Sequence, residues 1–174
     1  MQFGPTNGRM VLRTGRTGVA ASRGHDLTLE ITDWSVQIDV PDSGPTNAAV
    51  TARMNLQSLA VREGTGGSVL TDIERGEIKK NSLRTLGADQ YPTATFESSR
   101  VAPTEDHTTI SGSLTLHGVA APVDVDVREV RPSHYRATTV ITQSAHGIKP
   151  FAAFLGALKV RDDVEVEIEG DVAS

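Results

Sequence analysis

Val123-Asp124-Val125-Asp126-Val127-Arg128 and Val164-Glu165-Val166-Glu167-Ile168-Glu169 alternate, residue by residue, between aliphatic and charged side chains. Side chains two apart stand on the same side of an extended chain, so each stretch is a strand with one dry and one wet face. On a helix the same carboxylates would be spread round the whole circumference, leaving no face to bury.

The same period recurs outward from these two stretches. Ile110, Gly112, Leu114 and Leu116 share one parity, against Ser111, Ser113, Thr115 and His117. Val50, Ala52, Met54 and Leu56 oppose Thr51, Arg53 and Asn55, and Ala94 and Phe96 oppose Thr95 and Glu97. Tyr135, Ala137, Thr139 and Ile141 form a weaker row, because Val140 interrupts the polar side. One segment changes parity: Leu27, Leu29 and Ile31 are odd, whereas Trp34, Val36, Ile38 and Val40 are even. A one-residue slip would turn every apolar group outward, so the pattern predicts a bulge or bend at Thr32 and Asp33.

Residues 71–86 lack alternation. Thr71 with Glu74 three residues on matches a capping box, and Gly87 suits a helix stop, which predicts a helical segment there. Gly76 and the Asn81-Ser82 pair predict that it is bent or split in two. Glu63-Gly64-Thr65-Gly66-Gly67-Ser68 before it reads as a loop, and residues 150–155 as a second short helix or turn. Turns are expected at residues 41–45, 103–106, 118–122, 131–134 and 159–163. Closely spaced antiparallel strands with one wet face make a sandwich or a barrel. The expectation is one mainly β domain over residues 1–174, an extended antiparallel, lipocalin-like barrel of about eight strands.

A chain of 174 residues with 37% hydrophobic content is large enough for a substantial core. A net charge of −5 with scattered cations lacks the basic footprint of a nucleic-acid binder. No cysteine is present, which excludes disulfides and thiolate metal sites. No apolar run approaches the roughly 20 residues of a spanning helix. Gly4, Pro5, Asn7 and Gly8 break up residues 1–12, which lack a leader's apolar stretch; this predicts a cytoplasmic protein.

Further residues resemble a known family. Tyr91-Pro92-Thr93-Ala94-Thr95-Phe96-Glu97-Ser98 is similar to a signature of YceI-like proteins that follows their helix. Gly112-Ser113-Leu114-Thr115-Leu116-His117-Gly118-Val119, then Pro122-Val123, resembles a second signature about a strand later. The tail from Gly147-Ile148 to Val164-Glu165-Val166 is similar to the family's closing segment, and together these cover roughly half the chain. The resemblance implies an extended barrel with a helix near one opening. It also implies, as in some members, an isoprenoid such as a prenyl quinone or polyprenyl phosphate in the lumen. Many relatives are exported. The chain departs from the pattern at Gly24-His25-Asp26-Leu27, where a Gly-x-Phe stretch is usual, and at Gly66-Gly67, where an Arg-Asp pair is frequent.

Aromatic residues are only 4% of the chain, and the inward-parity positions include Ala48, Ala52, Ala94, Gly112, Ala137 and Thr139. Small residues facing inward leave volume for a guest, or lie at crowded corners of a filled barrel. A lipid tail needs only generic lining, since each buried CH₂ is worth about 0.8 kcal/mol. The candidate lining is Val50, Met54, Phe96, Leu114, Leu116, Val125 and Val166, all of which are equally intelligible as core residues. Arg23, His25 and Asp26 are candidate head-group contacts, or a solvated turn in which Asp26 caps backbone amides. Lys149 and Lys159 are further cations near the C-terminal loops.

The five histidines have no metal-ligand spacing, so neither metal nor cofactor is expected. Ser144 and His146 lack a nucleophile elbow, and the Gly64–Gly67 stretch lacks a P-loop lysine. Three functions remain. The first is a carrier for a hydrophobic small molecule. The second is a stress-response or interaction module with a filled barrel, acting through its surface or as a homodimer. The third, an enzyme, would need titratable groups converging on one opening.

Overall fold

The computed structural model describes residues 1–65 and 69–172. The first half of the chain contains β1 (Gln2–Phe3), β2 (Gly8–Thr17), β3 (Leu27–Ile31), β4 (Trp34–Asp39), β5 (Ala49–Asn55), β6 (Leu59–Gly64) and α1 (Asp72–Thr85). The second half contains β7 (Thr93–Pro103), β8 (Thr108–Leu116), β9 (Val119–Arg131), β10 (His134–Thr142), β11 (Ala152–Ala153) and β12 (Leu158–Asp171). All strands belong to one antiparallel sheet ordered β1-β4-β5-β7-β8-β9-β10-β12-β2-β3-β6, with β11 on β12.

The ends of this order meet through the covalent chain. β3 passes into β4 through Thr32 and Asp33, and β5 into β6 through a 3₁₀ turn, Leu56–Ser58. β3 pairs with β6 and β4 with β5, so two long bent strands lie side by side along both halves. Through them the sheet returns to its start. The sheet has twelve strands where about eight were expected; the difference arises because two long strands are each broken at a bend and β1 and β11 are two-residue pieces.

The parity switch at Thr32-Asp33 is the corner. Ser58 Oγ accepts from the backbone N–H of Thr32 (3.1 Å) and of Asp33 (3.0 Å), and Thr32 Oγ1 donates to the Ser58 carbonyl (3.0 Å). Asn55 donates from its backbone to the Asp33 carbonyl (2.9 Å) and from Nδ2 to the Asp33 carboxylate (2.9 Å). The two bends thus satisfy each other's orphaned amides. Leu29 and Ile31 before the corner and Val36 and Ile38 after it all face the interior. A second slip, between Ser98 and Arg100 on β7, likewise lets Phe96 and Val101 both point inward.

Helix α1 is a single 14-residue helix, where a bent or split one was expected. Thr71 Oγ1 accepts from the Glu74 N–H and the Glu74 carboxylate accepts from the Thr71 N–H, completing the capping box. Gly87, at φ +60°, ends the helix in a conformation that a side chain would strain. Arg75 donates to the Val61 and Arg62 carbonyls, and Ile78, Leu83 and Leu86 pack on Leu59 and its neighbours, which ties α1 to β6.

Other expectations are corrected. β2 lies where no strand was expected, and β6 reaches Gly64, into the expected loop; residues 66–68 of that loop lie outside the described residues. The β8–β9 turn is confined to His117-Gly118, so residues 119–122 are already strand. Residues 159–163 form no turn but a register shift inside β12, between Val160 and Val164. Residues 152–156 are a short strand, β11, and a 3₁₀ turn, Phe154–Gly156.

Candidate functional site

The inward faces do not mesh. They enclose a cavity of about 620 Å³, inside the roughly 300–1,000 Å³ range of small-molecule pockets. Every long strand contributes to its wall: Met10 and Leu12 from β2, Leu29 from β3, Val36 from β4, Val123 and Val127 from β9, and Ile141 from β10. Ile78, Ser82 and Leu86 of α1 also contribute. All seven expected lining residues, Val50, Met54, Phe96, Leu114, Leu116, Val125 and Val166, stand on this wall. Val50, Phe96, Leu114 and Leu116 are buried, while Met54, Val125 and Val166 are only half-buried although they point inward. Such residues keep partial exposure because the space before them is empty.

Small residues create the room. Ala52, Ala94, Ala137 and Thr139 line the cavity where larger side chains would cross it. Gly112 has a different part. A methyl group there would run into the Glu97 carbonyl oxygen and sit 2.5 Å from Phe96 Cζ. Phe96 occupies the place of the missing side chain, so Gly112 positions a wall residue and leaves no void itself.

Basic side chains gather at one rim. It is made by the C-terminal end of β2, the β2–β3 loop and the start of β12, which pair as Lys159 with Thr17 and Val160 with Arg16. Arg16, Arg23, His25 and Lys159 line the cavity there. The Arg16 guanidinium donates to the Gly24 carbonyl and lies 3.6 Å from Asp26 Oδ1, which also accepts from the Arg16 backbone N–H (3.0 Å). Asp26 is thereby engaged and is not on the cavity wall, unlike its expected companions Arg23 and His25. His25 Nδ1 faces the Thr65 carbonyl at 2.7 Å. A carbonyl only accepts, so Nδ1 carries the hydrogen, and Nε2 of the neutral ring is an acceptor. Arg16 was missed from sequence, although Met10, Leu12, Thr14 and Arg16 share one parity and run from apolar to polar toward this rim.

The remaining polar clusters lie elsewhere. Ser144 is in a 3₁₀ turn and donates to Asp162, while the buried His146 places Nδ1 3.0 Å from the Val119 carbonyl. The two thus belong to separate hydrogen-bond networks. His134 sits between Glu169 (Nε2 to Oε1, 2.8 Å) and Asp171 (Nδ1 to Oδ1, 2.8 Å). Hydrogen bonds to Glu169 and then Asp171 raise its pKa above the ordinary histidine value, and the same bond lowers that of Glu169. Among the described residues no group of three or more histidines and carboxylates is arranged to hold a metal ion, and no helix is long and apolar enough to cross a membrane.

Comparison with known proteins agrees with this architecture. BcnA of Burkholderia cenocepacia superposes with a TM-score of 0.68 at 16% identity, over 95% of this chain and 96% of that one. A YceI protein of Campylobacter jejuni superposes with a TM-score of 0.58 at 14% identity, over 84% and 85% of the two chains. The search of curated proteins returned no match. The YceI-like domain model matches residues 10–172, nearly the whole chain. A hydrophobic ligand-binding role goes with that match, and the chain belongs to the YceI-like family.

Proposed function

We propose that the protein carries a chain-like lipid, an isoprenoid such as a prenyl quinone or a polyprenyl phosphate, in the barrel lumen and performs no chemistry on it. The observation that supports this most is the open cavity of about 620 Å³, walled by aliphatic side chains and with its cations gathered at one rim. An apolar tail gains about 0.8 kcal/mol for each CH₂ buried, without needing a partner for any polar atom. Arg23 and Lys159 supply donors where a head group would emerge, His25 offers Nε2 as an acceptor, and Arg16 frames that rim.

The isoprenoid class rests on the family resemblance. Organic extraction and mass spectrometry of natively purified protein should yield a polyprenyl species. Prenyl quinones or polyprenyl phosphates added to stripped protein should raise its melting temperature, more for longer tails until the cavity is full. Empty protein in every preparation, together with no thermal shift across the series, would sink the reading.

A further inference from the structure

We infer that the hairpin beside the cationic rim docks the protein on an anionic lipid bilayer, holding the cavity mouth against the surface that its ligand must leave or enter. β11 and the start of β12 form this hairpin, pairing Ala152 with Lys159 and Ala153 with Leu158. Its tip is Phe154-Leu155, 62% and 110% exposed. The tip is apolar against steric preference. Both residues have left-handed backbones, φ +50° and +53°, a region that bulky side chains rarely occupy and that glycine or asparagine fills readily. Water gives no reason for two large apolar groups there; a bilayer does.

The surroundings have the same character. Val19, in the β2–β3 loop, is 96% exposed. Its loop is tied to the hairpin by the Ala20 N–H donating to the Ala157 carbonyl (2.8 Å). Phe151, Leu158 and Lys159 at the hairpin base line the cavity itself, so the patch is continuous with the mouth. Arg23 of the β2–β3 loop, Lys159 of β12 and Lys149, two residues before Phe151, are exposed, on a chain whose net charge is −5. The carboxylate of the β2–β3 loop, Asp26, is taken up by Arg16. Apolar groups at a tip with cations behind them match a surface whose charge lies outside its oil, which is the order met on approaching anionic lipid.

The inference rests on the lumen being a lipid site only for its purpose; the surface itself stands on exposure and charge. Its test is flotation with vesicles of phosphatidylcholine alone and of phosphatidylcholine with phosphatidylglycerol. The protein should float with the anionic vesicles, less as salt rises. Phe154→Asn/Leu155→Asn keeps residues that tolerate the left-handed backbone and should weaken flotation by roughly tenfold or more. Lys149→Glu should weaken it on anionic vesicles alone. Both variants should retain wild-type melting and wild-type binding of a prenyl quinone in detergent solution.

Wild type that stays off the anionic vesicles, that floats equally with phosphatidylcholine alone, or whose Phe154→Asn/Leu155→Asn variant floats unchanged would overturn the inference. So would a wild-type dimer that this variant splits while neither form floats, because the patch would then cover a second copy of the chain. Flotation without prenyl-quinone binding in detergent would instead uphold the docking surface and count against the carrier reading.

Discussion

Replacing Ala137 by Phe separates an open lumen from a packed core by the sign of its effect. Ala137 faces inward on β10, opposite Val127 of β9 and Ile168 of β12, and is only half-buried at a position that a filled barrel would enclose. In a close-packed interior a phenyl ring in place of a methyl group would cost about 1–3 kcal/mol. In a cavity of about 620 Å³ the ring instead leaves water for an apolar wall, a gain of up to about 1.5–3 kcal/mol less its lost rotamer freedom. At about 2–4 °C for each kcal/mol in a chain of this size, stripped Ala137→Phe should melt several degrees above stripped wild type. Ligand binding should move the opposite way. The ring takes room that some six ligand carbons would have filled, a ceiling near 5 kcal/mol at about 0.8 each. A third of that weakens binding by about tenfold. Differential scanning fluorimetry of stripped protein and a prenyl-quinone titration measure the two effects. Ala88→Phe, at a position with 0% exposure, is the control and should destabilise. If Ala137→Phe also lowers the melting temperature, as Ala88→Phe does, the open-lumen argument is wrong.

Three other perturbations test the scaffold. Gly112→Ala meets the Glu97 carbonyl, which cannot yield, and the Phe96 ring, which can; it should cost about 1–3 kcal/mol in urea unfolding. Adding Phe96→Leu should recover part of that loss, and full recovery would show that the carbonyl is not the obstacle. Thr71→Ala removes the acceptor for the Glu74 N–H and should cost about 0.5–2 kcal/mol, with α1 losing hydrogen-exchange protection first at its N-terminus; unchanged protection there would mean the cap is idle. His134 has a raised folded-state pKa, so its ion pairs stabilise fully below the ordinary value of 6.5, and their contribution fades as pH rises through the raised value. The melting temperature of wild type should therefore fall more between pH 6 and pH 9 than that of His134→Gln, and parallel curves would remove the ion pairs from the account.

Strands buried on one face were legible because period two survives any tertiary context that wets the other face. Val164, Val166 and Ile168, and Val123, Val125 and Val127, could lie only one way, and they line the lumen. The parity switch at Thr32-Asp33 was legible for the same reason, since a slip must be absorbed by the backbone. β2 was not, because its inward row passes from Met10 and Leu12 to Thr14 and Arg16 as it nears the mouth and so loses its hydrophobic period where it becomes functional. The rim was half legible. Arg23 and His25 stand on it, whereas Asp26 turns away to Arg16, a pairing that depends on the β2–β3 register. Residues 159–163 looked like a turn because Arg161, Asp162 and Asp163 are charged in succession; they are a bulge in a strand whose neighbours hold it on both sides.

The division of labour between wall and rim follows from how polar groups are satisfied. Thr139 and Gln143 are polar residues of the wall, and each spends a donor on backbone: Thr139 Oγ1 on the Asp124 carbonyl (2.7 Å) and Gln143 Nε2 on the Arg161 carbonyl (2.9 Å). Among the described residues no buried side-chain nitrogen or oxygen is left without a partner. Along the strand walls a guest would therefore be selected by length and bulk, while Asn81, Ser82 and Thr85 of α1 also face the cavity. One methylene more or less is worth only about 1–3 kcal/mol in such a site. Sharper discrimination needs donors that lose a partner when the wrong head group arrives. Those donors are at the rim, on Arg23 and Lys159, with His25 offering Nε2 as an acceptor. A series of head groups on one tail should accordingly separate at Arg23→Gln, and a series of tails on one head group should not.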